Sequence, residues 1–524
     1  MKTLKIIGLT GFMLAVAFVL AACGCFGNDN NQSSGEFDLT YWVGIAIGDG
    51  TSDIQQVPFV QALEEATGIR VDYRVAPSGI DNATQQFNLL IASGNLPDII
   101  EFHWARFPRG GPTGAIETET IISLNEILES GRSPHYRAVI ESMPHIHNVL
   151  TTANGDFYHY AFIRSDPRLT VFNGPFLRAD WLAEVNLEPP VTIDEWETVL
   201  IAFRDQMGAR APLVILPNFM ATSAFMGAFG VKQDFYLSYD LDDVVFGPIQ
   251  PGYREFLELF NRWYTERLFD PNFTQTTVDN LRIFMIDGTT GATVHAVGGG
   301  MNTIMTMVEA DPDSDPAFDL VATQYPVLNR GDRVKFSSTN FQATDLGAAI
   351  TTRARDVDLA VRFLDFGYSP EGQLLFNFGI PGITYNMIDG FPTYTDYVLR
   401  NPAGLARAQV LSLYSRVSAS PTLHMFETQQ GGRPQGEHAQ NVWSDTDELK
   451  FRIPPGIMTV EENNEFNRIM IDVQTYVDER FVTFIKGTDS LDQFDRYVQN
   501  LRNMGLDRAT EILRTALRRH NARN

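Results

Sequence analysis

The chain of 524 residues carries 40 Lys and Arg against 64 Asp and Glu, which gives a formal net charge of −24. This acidic balance argues against a nucleic-acid partner and against adhesion to an acidic lipid surface, because both need a basic face. Hydrophobic residues make up 44% of the chain, enough apolar material for the cores of several folding units. Two cysteines are too few for a disulfide framework or a four-cysteine zinc site.

The N-terminus has the layout of a bacterial lipoprotein signal. A short basic stretch precedes an uncharged apolar run that is short for a stable membrane span. Residues 20–23 (LAAC) resemble the lipobox, in which the cysteine is lipidated and becomes the mature N-terminus. We therefore predict a signal peptide over residues 1–22, a lipid on Cys23 and a flexible polar tether over residues 23–36. A plain signal peptide with an incidental cysteine is the alternative.

The predicted elements after the tether alternate between strands and helices. Strands are expected at residues 39–43, 69–75 and 98–102, and helices at residues 55–67 and 83–92. In the second of these strands, apolar and charged side chains alternate strictly, which indicates a half-buried strand. The β-α-β-α-β order predicts a mostly parallel sheet whose ligand-binding loops lie at the carboxyl ends of the strands.

A second block begins near Phe176 and ends in a helical C-terminus. Thr192 and Glu195 have the spacing of a capping box, which predicts a helix start at this point. From Phe466 onwards, apolar residues recur at helical spacing, and Gly505 separates the last two predicted helices. This block therefore adds a second, largely helical region to the first alternating one.

Four segments together resemble the extracellular solute-binding lipoproteins of bacterial ABC importers, in the branch that handles oligosaccharides. They are residues 89–100 (LLIASGNLPDII), 176–196 (FLRADWLAEVNLEPPVTIDEW), 363–385 (FLDFGYSPEGQLLFNFGIPGITY) and 475–512 (TYVDERFVTFIKGTDSLDQFDRYVQNLRNMGLDRATEI). The segments follow the family's order and span nearly all of the mature chain. The resemblance implies an α/β fold with two lobes, of the periplasmic-binding-protein-like (type II) kind. It implies a mostly parallel sheet in each lobe and a ligand cleft between the lobes.

The resemblance also implies how the chain is divided between the lobes. We expect the first crossing near residues 157–163 and the return near residues 324–328. The expected parts are residues 37–158 (lobe 1, first part), 159–324 (lobe 2, first part), 325–400 (lobe 1, second part) and 401–524 (mostly lobe 2, with the C-terminal helices).

No metal, cofactor or catalytic residue is predicted. Relatives that bind uronate oligosaccharides often hold calcium in an acidic loop that corresponds to residues 204–217, and this stretch contains a single Asp. Residues 311–315 (DPDSD) open like a calcium loop, but Pro316 stands where the turn needs Gly. The sequence lacks the motifs of serine hydrolases, zinc proteases and P-loop enzymes. With 64 acidic residues, chance pairs of carboxylates are unavoidable, so a glycoside hydrolase stays open.

A sugar site needs flat aromatic side chains for the faces of the rings and polar groups for their edges. Trp181, Trp196 and Trp263 lie in predicted amphipathic helices and are expected in cores, whereas Trp104 directly follows a predicted strand. The glycine run 298–300 precedes a predicted helix, where backbone amides could meet sugar hydroxyls. The candidate ligand-binding residues are Trp42, Glu101, Trp104, Arg164, Asn173, Gly299, Gly300, Tyr385 and Trp443.

These features predict a solute-binding protein rather than an enzyme. It would be lipid-anchored at the outer face of the bacterial cell membrane, capture an oligosaccharide by hinge closure and deliver it to the membrane subunits of an ABC permease. A secreted carbohydrate-cleaving enzyme is one alternative. The other is a peptide receptor of similar architecture, which would rely on backbone contacts rather than aromatic stacking.

Overall fold

The computed structural model describes residues 37–44, 47, 53–77, 79–220, 224–405, 407–417, 419–425 and 433–522. The predicted signal peptide, Cys23 and the tether lie outside the described residues. In chain order the strands are β1 (Leu39–Val43), β2 (Val71–Val75), β3 (Ile99–His103), β4 (Tyr160–Arg164), β5 (Asn173–Arg178), β6 (Leu213–Ile215), β7 (Phe235–Leu237), β8 (Val244–Phe246), β9 (Ala292–Ala296), β10 (Leu320–Ala322), β11 (Ala343–Ile350), β12 (Tyr385–Ile388), β13 (Phe391–Tyr394) and β14 (Thr422–His424).

Helices occupy most of the remaining chain. Those of eight or more residues are Pro58–Thr67, Ile80–Ser93, Pro134–Ser142, Ile193–Asp205, Pro251–Thr265, Val278–Ile286, Thr303–Ala310, Val357–Phe366, Pro370–Phe378, Arg407–Tyr414, Pro434–Trp443, Val460–Ile485, Phe494–Asn503 and Leu506–Asn521. The predicted capping box is confirmed, because the hydroxyl of Thr192 accepts the N–H of Glu195 at 3.3 Å while the Glu195 carboxylate accepts the N–H of Thr192 at 3.1 Å. This reciprocal bonding satisfies donors that a helix start otherwise leaves open.

The first lobe is built on a six-stranded sheet in the order β14-β4-β11-β3-β1-β2. β1 pairs in parallel with β2 and β3, which confirms the predicted β-α-β-α-β order. β14 is parallel to β4, and β11 runs antiparallel to both β3 and β4. Since β3, β4 and β14 therefore point the same way, their carboxyl ends lie at one edge of the sheet.

The second lobe is built on a four-stranded sheet in the order β10-β5-β9-β6. β6 and β9 are parallel, but β5 runs antiparallel to both β9 and β10. The prediction of a mostly parallel sheet is therefore wrong for this lobe, although it holds for the first. β5 enters the lobe from the crossing, so its amino end lies at the edge where β9 and β10 have their carboxyl ends.

The observed strand pairing places the lobe boundaries at different residues from those predicted. β4 lies between β11 and β14 in the first sheet, so the chain leaves lobe 1 only after Arg164, and residues 160–164 do not belong to lobe 2. The apolar YAFIR sequence of β4 suits this interior position, where four of its five residues are buried. The return runs over residues 323–342, between β10 and β11. Residues 422–424, expected in lobe 2, also pair in the first sheet as β14.

Each sheet has an apolar core of its own. The predicted core positions of Trp181, Trp196 and Trp263 are confirmed, and all three pack in the second lobe. The first lobe's main core includes Tyr41 and Phe363, whose rings meet edge-on at 6.3 Å. Separate cores allow the lobes to move as two bodies joined by the crossings.

The C-terminal helices complete the second lobe. Helix Val460–Ile485 has 26 residues and packs Val473, Val477 and Phe481 into that lobe's core beside helix Leu506–Asn521. Its other faces carry charged residues, such as Glu461 and Glu462 in its first turn. In the part of the chain that the structure describes, no helix is both long enough and apolar enough to cross a bilayer.

Candidate ligand-binding cleft

The first wall of the cleft is the edge of the six-stranded sheet where three parallel strands end. His103, Arg164 and His424 are the last residues of β3, β4 and β14. The amino end of the antiparallel β11 reaches the same edge and adds Thr344. Open α/β sheets bind ligands at the carboxyl ends of their strands, so this edge is where a ligand is expected.

The opposite wall belongs to the second lobe. β9 ends at Ala296, and the chain continues into the wide helical turn Val297–Asn302 before helix Thr303–Ala310. Gln440, in helix Pro434–Trp443, adds a polar side chain to this wall. Asn340 of the return crossing closes one side of the space.

A cavity of about 500 Å³ lies between the two walls. Its lining comes from both lobes and from the first and return crossings: His103, Phe162, Arg164, Thr344, Leu346 and His424 from the first lobe, Ala296, Val297, Gly298, Gly299 and Gln440 from the second, and Leu169, Phe172 and Asn340 from those two crossings. A space of this size suits a small ligand of several rings. Any molecule bound in it would contact both lobes at once.

Two smaller cavities extend the cleft. One of about 310 Å³ shares Asn340 and Thr344 with the first cavity and is also lined by Arg452. The other, of about 410 Å³, shares Thr151 and Gly456 with the cavity of about 310 Å³. The three spaces follow the boundary between the lobes, so the cleft offers room for more than one ring.

Arg164 is the main charged group of the first cavity. Its guanidinium stacks on the ring of Phe162 at 4.9 Å, and Nη1 donates to the carbonyl oxygen of Phe341 at 2.8 Å. Burial, and then the neighbouring charge of Arg452, lower the pKa of Arg164 to about 10. Arg164 is thus still a cation at neutral pH, held in place at the cleft.

His103 and Asp345 form a second polar feature at this edge. The Nδ1 of His103 lies 3.3 Å from Oδ1 of Asp345, and the Ala105 N–H donates to Oδ2 of the same carboxylate at 3.1 Å. Burial opposes the charge of Asp345, but the hydrogen bond and charge of His103 outweigh it and hold the pKa below its usual value. The carboxylate is therefore engaged by the protein itself.

His424 presents a neutral ring to the cavity. Burial, and then the charges of Arg164 and Arg407, lower its pKa to about 3. Its Nδ1 lies 3.2 Å from Oδ1 of Asn377, and its ring lies 5.7 Å from that of Phe162. This histidine can offer a hydrogen bond without adding charge to the cleft.

The predicted glycines divide into two roles. A Cβ at Gly298 or Gly299 would meet no atom within 4 Å, and both residues line the cavity. A Cβ at Gly300 would lie 2.6 Å from the His295 ring. The ligand-binding prediction for Gly300 is therefore corrected: this glycine serves close packing inside the second lobe. The carbonyl oxygen of Gly299 accepts from Arg282 at 2.7 Å, which fixes the turn.

Trp104 is not an open platform, contrary to the prediction. Its side chain is 0% exposed, and its indole N–H donates to the carbonyl oxygen of Gly347 at 3.0 Å. The indole packs edge-on against Phe87 at 5.7 Å and alongside Phe107 at 6.4 Å. Trp42 is corrected in the same way, since its ring is buried against Phe87 and Phe102. A sugar cannot reach either ring.

Trp443 is a core residue of the second lobe. It ends helix Pro434–Trp443 instead of lying in a loop, and it is 0% exposed. Its indole N–H donates to the carbonyl oxygens of Thr323 and Pro175, and a Cβ at Gly174 would lie 2.5 Å from its ring. The prediction of a cleft role is wrong for this residue, because strand β5 covers it.

Glu101 and Tyr385 also serve packing. Glu101 is fully buried and binds Arg416 through both oxygens, at 2.9 and 3.1 Å, while accepting the Tyr41 hydroxyl at 3.0 Å. Tyr385 begins β12 and is buried in a small satellite core with Phe378. Their predicted ligand contacts are therefore replaced by contacts inside lobe 1.

Asn173 lies next to the cavity without lining it. It is buried at the start of β5, its carbonyl oxygen accepts from the Tyr325 hydroxyl, and its Oδ1 has no partner among the described residues. Of the predicted residues, the structure thus brings Arg164 and Gly299 together at the cavity and leaves Asn173 beside it. A direct ligand contact stays a prediction for all three.

Sequence reasoning missed Phe172. This side chain is 41% exposed and lies in the first crossing, between the turn Pro167–Thr170 and β5. It is the aromatic of the cavity with an open face, whereas Phe162 is buried under Arg164. In the sequence, Phe172 follows Val171 in an apolar stretch, and nothing in that stretch signals that its ring is exposed.

The fold is that of two-lobed solute-binding proteins. The chain matches the crystal structure of the alginate-binding protein AlgQ2 without calcium at a TM-score of 0.73, with 22% identity, over 91% of this chain and 97% of that one. It matches the ABC-transporter substrate-binding protein FusA of Streptococcus pneumoniae in complex with kestose at a TM-score of 0.73, with 17% identity, over 93% and 100% of the two chains. These likenesses confirm the predicted fold class.

Sequence relatives point the same way. The chain is 22% identical over 410 residues to lipoprotein LipO of Bacillus subtilis, covering 76% of this chain and 77% of that protein. It is 25% identical over 160 residues to FusA, named a fructooligosaccharide ABC transporter substrate-binding protein, covering 28% of this chain and 27% of FusA. No protein-family model matches the chain. The resemblance to solute-binding lipoproteins of ABC importers is thereby confirmed.

Proposed function

We propose that this protein captures an oligosaccharide in the interlobe cleft and delivers it to an ABC permease. The observation that carries the proposal is the cavity of about 500 Å³ whose lining comes from strand ends of both sheets and from the first and return crossings. The relatives named for oligosaccharide binding support the same ligand class. A ligand that touches both lobes stabilises the closed arrangement over the open one, and the permease would bind the closed, ligand-loaded form in preference to the open form.

The lining supplies both kinds of contact that a sugar needs. The open face of Phe172 can stack on the C–H face of a ring. Arg164, Gln440 and His424 offer polar groups for ring hydroxyls, and the uncovered turn at Gly298 and Gly299 lets a ligand approach the backbone. Stacking would thus come from the first crossing, and hydrogen bonds would come from both walls.

The alternative of a carbohydrate-cleaving enzyme has less support. Glycoside hydrolysis needs two carboxylates that flank the scissile bond. No Asp or Glu is among the described residues that line the main cavity. Asp345, in the adjoining cavity, is bound by His103 and the Ala105 N–H. A binding role therefore fits the cleft better than hydrolysis does.

A screen of oligosaccharides tests the proposal. We expect at least one oligosaccharide to raise the melting temperature, because a ligand at 100 times its Kd adds about 2.7 kcal/mol to the free energy of unfolding. The same mixtures should show no new reducing ends after long incubation. Sugar release would favour the enzyme, and a response to a peptide library without any to sugars would favour a peptide receptor.

The proposed location is the outer face of the cell membrane, with Cys23 as the lipid-bearing residue. Support comes from the lipobox-like sequence and from a relative named a lipoprotein. Acyl chains on Cys23 would hold the protein firmly, at about 0.8 kcal/mol for each buried CH₂. Cys23→Ala should release the protein into the medium or leave an uncleaved precursor. If the variant is fully matured and still fractionates with membranes as the wild type does, the proposed lipid anchor is contradicted.

A further inference from the structure

Two arginines stand on either side of one short segment of the return crossing. Arg164, from the first lobe, donates to the carbonyl oxygen of Phe341 at 2.8 Å. Arg452, from the second lobe, donates to the carbonyl oxygen of Thr339 and stacks on the Phe341 ring at 4.0 Å. Arg164 lines the main cavity and Arg452 the adjoining one. The two cations therefore face neighbouring parts of the same cleft.

Among the described residues, neither guanidinium has a carboxylate partner. No Asp or Glu oxygen of the described residues lies within 4 Å of Arg164 or Arg452, whereas the buried Arg178 and Arg416 are paired with Asp180 and Glu101. A half-buried cation without an anion is costly, because its charge is partly removed from water. Within the described residues, the cleft thus holds two cations that are not engaged in an ion pair.

The nearest acidic groups have other partners. Asp345 shares the adjoining cavity with Arg452, but its two oxygens face His103 and the Ala105 N–H. The charges of Glu448 and then Asp234 also act on Arg452. Glu448 forms an ion pair with Lys232 and accepts the Ser337 N–H at 3.0 Å, and Asp234 accepts the Phe235 N–H at 2.6 Å. Each of these three carboxylates thus has another partner within the protein, and none of them forms an ion pair with Arg164 or Arg452, whose N–H donors can therefore meet a bound molecule.

We infer that the ligand is an acidic oligosaccharide, whose carboxylate or sulfate groups bind Arg164 and, one ring further along, Arg452. The inference rests on the proposed oligosaccharide-binding function and names the class of sugar. Carboxylates and sulfates both suit a guanidinium, which presents several N–H donors in a fixed plane. Phe162 and Phe341 hold the two guanidiniums by stacking, so the donors are positioned before the ligand arrives.

Matched sugars test the inference on the wild-type protein. Calorimetric titrations would compare trigalacturonate, alginate oligosaccharides and glucuronate-containing oligosaccharides with the same compounds after reduction of their carboxylates to alcohols. Sulfated galactan oligosaccharides and their desulfated forms make a second set, which separates carboxylate from sulfate recognition. At least one acidic member should bind on the order of ten- to a hundred-fold tighter than its neutral partner, and added salt should weaken only the acidic one.

Variants then assign the charge recognition to the two arginines. Arg164→Gln and Arg452→Gln should each remove most of the preference for the acidic sugar, measured as the ratio of its Kd to that of its neutral partner in the same variant. Arg164→Lys should restore part of the preference. Arg137→Gln is the matched control, since Arg137 pairs with Glu141 on the surface of the first lobe and lies outside the cleft. Melting temperatures of all variants show whether each one is folded.

The outcomes distinguish failure of the acidic-sugar inference from failure of the proposed oligosaccharide-binding function. If every neutral sugar binds at least as tightly as its acidic partner, the inference is overturned while the oligosaccharide function still stands. A preference for acidic sugars that survives both glutamine variants would also overturn the assignment to these arginines. Failure of every sugar, acidic or neutral, would overturn the proposed function and the inference with it.

Discussion

Phe172 is the side chain whose surroundings best fit a sugar platform. It is 41% exposed, belongs to the crossing between the lobes and lines the main cavity. By contrast, Trp104 has no exposed surface, and its indole contacts Phe87, Phe107 and the carbonyl oxygen of Gly347. A stacking residue must keep one face open, so these two residues should respond in opposite ways to truncation.

Phe172→Ala should weaken sugar binding with little effect on stability. By analogy with base stacking, loss of the ring should cost roughly 1–3 kcal/mol, or about ten- to a hundred-fold in Kd. Calorimetric titration with the best oligosaccharide of the screen measures this. Phe391→Ala is a suitable control, because Phe391 is 60% exposed on the hairpin of β12 and β13, away from the cavity lining. An unchanged Kd for Phe172→Ala would count against the platform.

Trp104→Ala should instead destabilise the first lobe. Truncation of a fully buried indole leaves a cavity and removes the hydrogen bond to the carbonyl oxygen of Gly347, at a cost of about 3–5 kcal/mol. Urea denaturation measures the difference, and the folded fraction should bind sugar as the wild type does. If the variant unfolds at the wild-type urea concentration but no longer binds, then Trp104 contacts the ligand after all.

These residues show what local sequence can and cannot predict about the site. The sequence places Trp104 correctly after a strand, but Phe87 and Phe107 cover its ring through contacts that local spacing does not reveal. The glycine turn was predictable because it follows a recognisable strand, and Arg164 was proposed because it lies next to the expected first crossing. Phe172 was not, since nothing local distinguishes it from the buried residues of β5.

At the scale of elements, the local pattern predicted the β-α-β run well and the sheet membership of later strands poorly. β1, β2 and β3 lie within one stretch of chain and pair with one another. β4 pairs with β11 and β14, which come far later in the sequence. Its position in the first sheet depends on these distant partners, and for that reason the expected crossing fell several residues too early.

The contact between β5 and helix Pro434–Trp443 gives a prediction at this scale. Gly174→Ala should destabilise the second lobe, because the new methyl group would lie 2.5 Å from the buried Trp443 ring. Overpacking of this kind costs about 1–3 kcal/mol, measurable by urea denaturation. Gly298→Ala serves as the control, since its Cβ would meet no atom within 4 Å. Equal stability of the two variants would show that the strand and helix can separate without cost.

At the scale of the whole molecule, both lobes bury histidines in their neutral form. Burial lowers the pKa of His159 and His295 to about 4 and that of His424 to about 3, and the charges of nearby arginines add to the effect at the last two. His159 and His424 belong to the first lobe and His295 to the second. Acid should therefore weaken both lobes together.

Stability should fall as the pH drops from 6.5 towards 4. The unfolded chain binds a proton at each of these histidines below 6.5, whereas the folded chain resists protonation down to about 4. Each histidine then contributes up to about 1.4 kcal/mol per pH unit to the loss. Urea denaturation across this range measures the slope of the free energy of unfolding against pH. His159→Gln should reduce this slope by the contribution of one histidine, up to about 1.4 kcal/mol per pH unit. A free energy of unfolding that is constant between pH 6.5 and 4 would contradict the neutral buried state.

The central claim is that an oligosaccharide binds between the lobes and draws them together, and an interlobe distance measurement tests it most directly. Spin labels at Arg106→Cys and Met307→Cys, both exposed, report on the two sides of the cleft in a background that lacks Cys23 and Cys25. Saturation with a binding oligosaccharide should shorten and narrow the distance distribution, whereas a sugar that does not bind should leave it unchanged. An unaltered distribution at full saturation would contradict the account, because it would mean that the ligand binds without bridging the lobes.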